Sequence, residues 1–230
     1  MRERGRLIAS GRDSDIFECG PGLVVRKARD GRSIAIEAQT MDYLRARGYP
    51  VPAIDDVSDD GTEVVMEKIE GPSMVALMGR RPWRLRQQGA VLAELHRRLH
   101  EIVAPDWLPP APGDRGDRVL HLDLHPLNVI ASRSGPVVID WANASRGVGD
   151  VDVAVAWLLI ASGEMPFGRL KSTALQRGRK VFLDSFLRGC DLRAARQHLG
   201  RLAEWKAQDP NMTDAERGRM REVIAVHSTA

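Results

Sequence analysis

The N-terminal part of the chain shows short runs of apolar and polar residues that are separated by turn-forming residues. Residues 6–10, 15–19 and 22–28 form three such runs, with Gly and Ser clusters between them. This pattern predicts an antiparallel meander of three strands. Residues 53–57 and 62–69 add two more apolar runs around an Asp-Asp-Gly turn. The sequence therefore predicts a five-stranded sheet within residues 1–69.

A helical pattern interrupts the strands at residues 33–47. Ser33 can cap this helix, and its apolar stripe consists of Ile34, Ala38, Met41 and Leu44. Glu37 falls within the stripe, where a buried carboxylate costs free energy unless a cation pairs with it. We expect Glu37 to meet a cation of the sheet; the alternative is a position in water at the edge of the stripe.

The pattern changes after residue 70 from strands to helices. Apolar residues at helical spacing predict helices near residues 85–102, 149–162, 170–188, 192–205 and 213–226. His96 and His100 are expected to be partly exposed polar residues of the first of these helices. The whole chain is thus predicted to be of the α+β class, with a small antiparallel sheet lobe at residues 1–69 and a larger, mainly helical lobe at 70–230.

Composition narrows the function classes. The net charge of the 230-residue chain is only +3, and the arginines are dispersed along it. This charge distribution does not indicate nucleic-acid binding. Cys19 and Cys190 are the only cysteines, too few for a disulfide framework. The longest apolar run, residues 153–161, is too short to cross a membrane. We expect a cytoplasmic protein without a membrane partner; the sequence does not predict an oligomeric state.

The chemistry is concentrated in residues 121–141, HLDLHPLNVIASRSGPVVIDW. Residues 129–131 and 137–139 are predicted strands of a hairpin with a Ser-Gly-Pro turn at 134–136. Asn128 precedes the first strand and Asp140 follows the second, so the hairpin is expected to bring them together. Their oxygens suit Mg²⁺, and Asp123 lies in the preceding loop, where it can reach a hydroxyl as a base.

This segment, with H-x-D-x-H-P-x-N followed by I-D-W, resembles the aminoglycoside phosphotransferase and choline kinase family, whose members are relatives of protein kinases. The resemblance implies a bilobal protein-kinase-like fold that transfers the γ-phosphate of ATP or GTP to a small-molecule hydroxyl. The acceptor would be an aminoglycoside-like antibiotic, an amino alcohol or a sugar. Asp123 matches the catalytic aspartate, and Asn128 and Asp140 match the Mg²⁺ ligands. Leu122 departs from the family, which commonly has glycine there.

The resemblance also assigns nucleotide-binding residues. Arg26 and Lys27 point to opposite faces of their strand, so only one can face the phosphates; Arg26 aligns with the family's basic position and is favoured, with Glu37 orienting it. Ser10 and Gly11 lie in a turn that either covers phosphates or is an ordinary hairpin turn. The other assigned residues belong to a hinge that would contact adenine: Met66, Glu67 and Ile69.

Other interpretations stay open on sequence alone. A pseudokinase or nucleotide-binding regulator would keep the fold without phosphoryl transfer. A metallohydrolase would instead use His121, Asp123 and His125 to bind Zn²⁺ or Fe²⁺. Asp152 either accepts hydrogen bonds from the catalytic-loop backbone, as the resemblance implies, or caps a helix. The acidic residues that could receive a polycationic acceptor, or could be surface charge, are Glu164, Glu204, Asp209, Asp214 and Glu216.

Overall fold

The computed structural model describes residues 3–11, 13–113, 115–163, 173–209 and 212–227. The chain divides into two compact units. The first comprises Met1–Pro72 and Val129–Ala142, and the second comprises Ser73–Asn128 and Asn143–Ala230. The first boundary lies close to the predicted division at residues 69 and 70, but the hairpin residues 129–142 group with the first unit.

Strands dominate the first unit and helices the second, as the change in pattern predicts. The strands are β1 (Leu7–Ser10), β2 (Ser14–Gly20), β3 (Leu23–Ala28), β4 (Ile54–Val57), β5 (Glu63–Glu67), β6 (Arg118–Leu120), β7 (Val129–Ser132), β8 (Gly135–Val138) and β9 (Ser145–Gly147). The helices are α1 (Ala35–Arg45), α2 (Met74–Arg80), α3 (Leu85–His100), α4 (Gly149–Ser162), α5 (Thr173–Leu187), α6 (Leu192–Ala207) and α7 (Asp214–His227). The short helix α2 has no counterpart in the sequence prediction.

The five-stranded antiparallel sheet of the first unit is confirmed. Its strand order is β1-β2-β3-β5-β4, and every neighbouring pair is antiparallel. Helix α1 buries its predicted apolar stripe, and Ile34 and Ala38 pack with Ala28 of β3 and Val64 of β5. The burial of this stripe fixes which side of α1 faces the sheet.

The predicted cap of α1 is wrong in position. The N-cap residue is Ile34, and it makes no side-chain capping hydrogen bond. The hydroxyl of Ser33 instead accepts from the N–H of Ala35 at 3.3 Å, two residues on. Serine hydroxyls often form local hydrogen bonds of this kind with the backbone, and these compete with helix capping. Ser33 therefore lies before the helix and does not cap it.

The β7–β8 hairpin exists, but its turn begins one residue earlier than predicted and is one residue shorter. Ser132 pairs with Gly135, so residues 133 and 134 form the turn and Pro136 lies within β8. Proline is tolerated there because β8 pairs with one strand only. The hairpin joins the first unit through two backbone hydrogen bonds, from Ala131 N–H to the Pro72 carbonyl (2.9 Å) and from Val138 N–H to the Pro50 carbonyl (2.8 Å).

The second unit is built around helix α4, which is buried on nearly all sides. Helix α6 packs on α4, and α3 packs on α5. Strands β6 and β9 pair antiparallel. The loop that carries Asp123 follows β6 directly. Within the described ranges, none of the helices has the length and hydrophobicity that crossing a bilayer requires.

The approach of α3 to α5 depends on a glycine and gives a stability test. A Cβ on Gly89 would lie 2.6 Å from the Phe182 carbonyl oxygen and 2.9 Å from the Phe186 nitrogen, and these backbone atoms cannot move without shifting a helix. We predict that Gly89→Ala lowers the free energy of unfolding by about 1–3 kcal/mol, measured by urea denaturation.

The matched control for this substitution is Gly200→Ala in α6, where an added Cβ has nothing within 4 Å. Alanine favours a helix over glycine, so this variant should be more stable by up to about 1 kcal/mol. Equal stability of the two variants would contradict the close packing of α3 on α5.

Candidate active site

The loop between β6 and β7 brings Asp123 and Asn128 together. Residues Pro126–Asn128 form a single 3-10 turn, which is closed by a hydrogen bond from the Asn128 N–H to the His125 carbonyl (2.9 Å). The turn directs the Asn128 Nδ2 to both the backbone carbonyl and the Oδ2 of Asp123, each at 2.9 Å. Because the amide nitrogen faces Asp123, Oδ1 is the atom of Asn128 that a metal ion would use.

The backbone before Asp123 is held by Asp152, which is fully buried at the start of α4. Its Oδ1 accepts from the Leu122 N–H at 2.7 Å, and its Oδ2 accepts from the His121 N–H at 3.2 Å. The N-cap residue of α4 is Val148, so the capping interpretation of Asp152 is wrong. The observed geometry is the backbone-acceptor arrangement that the family resemblance implies.

Two histidines of α3 surround the same carboxylate. The Nε2 of His100 lies 3.0 Å from the Asp152 Oδ2, and the Nδ1 of His96 lies 3.5 Å from it. Burial favours the neutral acid, but the hydrogen bond from His100 and the nearby His96 outweigh it and hold the pKa of Asp152 well below its ordinary value. The Asp152 carboxylate is therefore ionised when it accepts the loop amides.

The expectation that both histidines are partly exposed polar residues is wrong for His96. It is buried, and its Nε2 lies 3.3 Å from the Leu124 carbonyl. The acidic partner comes from α4, 52 residues after His100, so the spacing within α3 gave no sign of it. In the described ranges, these two histidines and Asp152 are the one cluster of three potential metal ligands, and it does not include Asp123.

Leu122 occupies the position where the family commonly has glycine, and it adopts a left-handed backbone conformation with φ of 56°. A non-glycine residue in this region costs about 1–2 kcal/mol. The leucine side chain is buried, and its N–H donates to Asp152. These two interactions offset the backbone cost, so the loop takes the unusual angle without glycine.

The first unit contains a second group of predicted site residues, which meet at Arg26. Its guanidinium donates to Glu37 Oε2 at 2.5 Å, to Ser14 Oγ at 2.9 Å and to Asp140 Oδ1 at 3.1 Å. The cation expected opposite Glu37 is thus present and is Arg26. Burial raises the pKa of Glu37, and the Arg26 guanidinium opposes this rise.

Lys27 lies on the other side of β3 and does not join this group. Its ammonium is 3.2 Å from Glu63, and its side chain is 37% exposed. Arg26 pairs in register with Val64 and Lys27 with Glu63, which gives the alternation of a strand. Of the two basic candidates, Arg26 is therefore the one that contacts Glu37 and Asp140.

The turn and hinge candidates are engaged in local structure. The Ser10 hydroxyl donates to Asp15 at 2.6 Å and the Gly11 N–H donates to the Ser14 carbonyl at 2.9 Å, as in an ordinary hairpin turn. In the hinge segment, the Glu67 N–H donates to the Ala53 carbonyl at 2.8 Å, and half-buried Met66 precedes it. The adenine contacts expected of Met66, Glu67 and Ile69, and the phosphate contacts expected of Ser10 and Gly11, stay predictions.

The metal pair is divided between the units. Asn128 belongs to the second unit and Asp140 to the first, where Asp140 has φ of 67°. Their approach across the hairpin, which the sequence predicts, stays a prediction. What the described residues establish is one ordered group in each unit: Asp123 with Asn128, and Arg26 with Glu37 and Asp140.

Sequence reasoning missed Lys206 of α6. Its ammonium lies 3.4 Å from Asp123 Oδ1 and 3.2 Å from Asp209 Oδ2, and the residue is 7% exposed. A usable signal was present, because Lys206 continues the buried stripe of Leu199 and Leu202 at helical spacing. The argument that singled out Glu37, a charge on a buried helix face, applies equally to Lys206.

The role of Asp152 in holding the backbone before Asp123 gives a second test. In Asp152→Asn, one of the two oxygens that accept from the loop becomes an N–H₂ donor and meets a backbone N–H. We expect the free energy of unfolding to fall by about 1–3 kcal/mol in urea denaturation at neutral pH. The control is Asp117→Asn, an exposed carboxylate beside Arg118, which should leave stability unchanged. Equal stability of the two variants would exclude the proposed anchoring.

Comparison with known proteins identifies the same family that the residues of this loop resemble. Residues 4–118 and 79–205 match the model of the phosphotransferase enzyme family, APH. A search of curated proteins finds no significant match.

Three solved structures illustrate the shared kinase-like fold. An aminoglycoside-3'-phosphotransferase of type VIII is 20% identical, with 94% of this chain and 89% of that chain covered and a TM-score of 0.57. The mutant aminoglycoside phosphotransferase APH(4)-Ia in complex with AMP-PNP and hygromycin B is 14% identical, with 98% and 94% covered and a TM-score of 0.68. A choline/ethanolamine kinase family protein from Mesorhizobium loti is 14% identical, with 99% and 86% covered and a TM-score of 0.58. By the extent of the family match, this chain belongs to the phosphotransferase enzyme family.

Proposed function

We propose that this protein transfers the γ-phosphate of ATP, with Mg²⁺, to a hydroxyl group of a small molecule. The observation that carries the proposal is the pairing of Asp123 with Asn128 in a loop whose backbone is fixed by a buried, ionised carboxylate. Family membership and the nucleotide complexes of similar proteins support it. Cys19 and Cys190 form no disulfide, which suits a cytoplasmic enzyme that draws on cellular ATP.

Asp123 is proposed to bind the acceptor hydroxyl and to take its proton. Phosphoryl transfer has a loose transition state, so the proton leaves late and the main requirement is correct placement of the hydroxyl. The two hydrogen bonds from Asn128 Nδ2 keep the Asp123 carboxylate in one orientation. This pairing supplies the placement that the reaction needs.

Asn128 and Asp140 are proposed to bind a magnesium ion, because each offers an oxygen of the kind that Mg²⁺ prefers. Asn128 offers an amide oxygen, and the half-exposed carboxylate of Asp140 offers a charged oxygen, a donor set typical of Mg²⁺ bound with substrate phosphates. When bound, the ion neutralises phosphate charge. Arg26, steadied by Glu37, is proposed to bind the phosphates, since its guanidinium already contacts Asp140.

The acceptor is proposed to be a hydroxyl compound of the classes that similar kinases use. The similar structures include complexes with gentamicin, streptomycin and hygromycin B, and an amicoumacin kinase. An aminoglycoside-like antibiotic, an amino alcohol and a sugar are accordingly the acceptor classes to compare.

The division of labour between Asp123 and Asp140 can be tested with two variants. Asp123→Asn should keep Mg·ATP binding, because it retains the shape of the side chain, but lose turnover by roughly 10²–10⁴-fold because it cannot accept the proton. Asp140→Ala should lose the Mg²⁺-dependent part of nucleotide binding, measured as the thermal shift with ATP and Mg²⁺. Asp106→Asn, an exposed carboxylate, is the control. Full turnover in Asp123→Asn would refute its role.

The choice between Arg26 and Lys27 gives a matched pair of variants. Arg26→Lys keeps the charge opposite Glu37 but loses the planar fork, so the Kd for Mg·ATP should rise by about tenfold. Lys27→Met should leave that Kd unchanged, because Lys27 pairs with Glu63 instead. Titration calorimetry measures both constants. A weaker Kd in Lys27→Met alone would assign the phosphates to Lys27.

A further inference from the structure

Lys206 is a buried cation that the proposed roles of Asp123, Asn128, Asp140 and Arg26 leave unused. A lysine ammonium has three N–H donors and no acceptor. In the described part of the chain, its polar contacts are the carboxylates of Asp123 and Asp209. The Trp205 ring lies 5.6 Å away. Two donors are thereby directed at carboxylates, and the third is available to a bound molecule.

The two oxygens of the Asp123 carboxylate have different surroundings. Oδ2 accepts from Asn128 at 2.9 Å and lies 3.7 Å from the His125 Nε2, whereas Oδ1 faces Lys206 at 3.4 Å. Oδ1 is therefore the oxygen at which an acceptor hydroxyl meets less competition. A hydroxyl bound to Oδ1 at hydrogen-bond distance would come within roughly 4–6 Å of the Lys206 ammonium. A substituent on the neighbouring carbon would then reach Lys206 directly.

From this geometry we propose, resting on the proposed phosphotransferase function, that Lys206 determines acceptor specificity. It selects acceptors that carry an oxygen group beside the phosphorylated hydroxyl, such as a second hydroxyl, a carboxylate or a phosphate, because such groups accept its third N–H. It rejects acceptors with an ammonium at that position, because two cations repel each other and the ammonium has no acceptor for the lysine.

The charges around Lys206 support this selection. Of the acidic residues considered for a polycation site, Asp209 pairs with Lys206 and Asp214 pairs with Arg217, while Glu216 accepts from the Thr213 backbone. Glu164 lies outside the described residues. Helix α6 is itself basic, since against Glu204 it carries Arg193, Arg196, Arg201 and Lys206. This helix favours neutral or anionic acceptors over polycations.

The test compares acceptors that differ in one substituent. Wild-type protein is assayed for ATP consumption with glucose, glucuronate and glucosamine, and with glycerol, glycerate and 3-amino-1,2-propanediol. Each set contains a neutral, an anionic and a cationic member. We expect the kcat/KM of the amine to be lower than that of its neutral or anionic counterpart by roughly ten- to hundredfold. Higher kcat/KM for the amines would overturn the proposal.

Variants of Lys206 separate specificity from structure. Lys206→Met should raise the KM for oxygen-bearing acceptors about tenfold or more and reduce discrimination against amines, with the Kd for Mg·ATP unchanged. Lys206→Arg keeps the charge, so it should keep the preference even if Lys206→Met fails to fold. The control is Lys180→Met, whose ammonium is exposed on α5 and pairs with Asp184. If Lys206→Arg loses the preference, or Lys206→Met retains it, Lys206 does not select the acceptor.

Failure of the proposed function has a different signature. Wild-type protein would then consume no ATP above the acceptor-free rate with any of the six compounds or with an aminoglycoside and choline added to the panel. That result would overturn both proposals. ATP consumption with choline or an aminoglycoside alone would keep the phosphotransferase function and overturn the role of Lys206.

Discussion

The hydrogen bonds from the Leu122 and His121 amides to the buried Asp152 carboxylate fix the backbone that leads to Asp123, and the chemistry proposed for the second unit depends on them. A buried carboxylate is tolerated only when enough donors surround it. Here two backbone amides and His100 supply them, and in return the backbone is fixed immediately before Asp123. Leu122, which donates to Asp152, has a left-handed φ of 56°, so the chain changes direction between this anchored N–H and Asp123.

The first unit also contains a buried carboxylate that needs hydrogen-bond donors. Glu37 lies on the buried face of α1, and Arg26 is the strand residue that satisfies it. Because Arg26 also contacts Asp140, the pair connects α1, the sheet and the end of the β7–β8 hairpin. The hairpin in turn is bound by backbone hydrogen bonds to Pro50 and Pro72. The charged pair and the backbone contacts together fix where the Asp140 carboxylate lies.

The sequence predicted some of these features because their cause is local. Periodicity showed that α1 has a buried face, and a carboxylate on that face required a cation, which the structure supplies as Arg26. Periodicity does not show what lies opposite a buried face. The partner of His96 and His100 is on α4, and that of Lys206 is on the catalytic loop, so both contacts depend on how the helices pack. The start of α1 was missed for another reason. The Ser33 hydroxyl accepts from the Ala35 N–H, two residues on, instead of capping the helix.

The proposed roles of Asp123 and Lys206 assign the chemistry and the choice of acceptor to different parts of the second unit. Asp123 and Asn128 lie on one short loop, where the Asn128 Nδ2 donates to Asp123 and the buried Asp152 of α4 anchors the backbone before them. Lys206 reaches that loop from α6, a helix that packs on α4 through apolar residues and is free to change its polar positions. A substitution on α6 can therefore alter the charge beside the Asp123 carboxylate without disturbing the bonds that hold it. If Asp123 and Lys206 have the proposed roles, proton acceptance by Asp123 is separable from recognition of the group next to the hydroxyl, and a shared fold is compatible with acceptors of different charge.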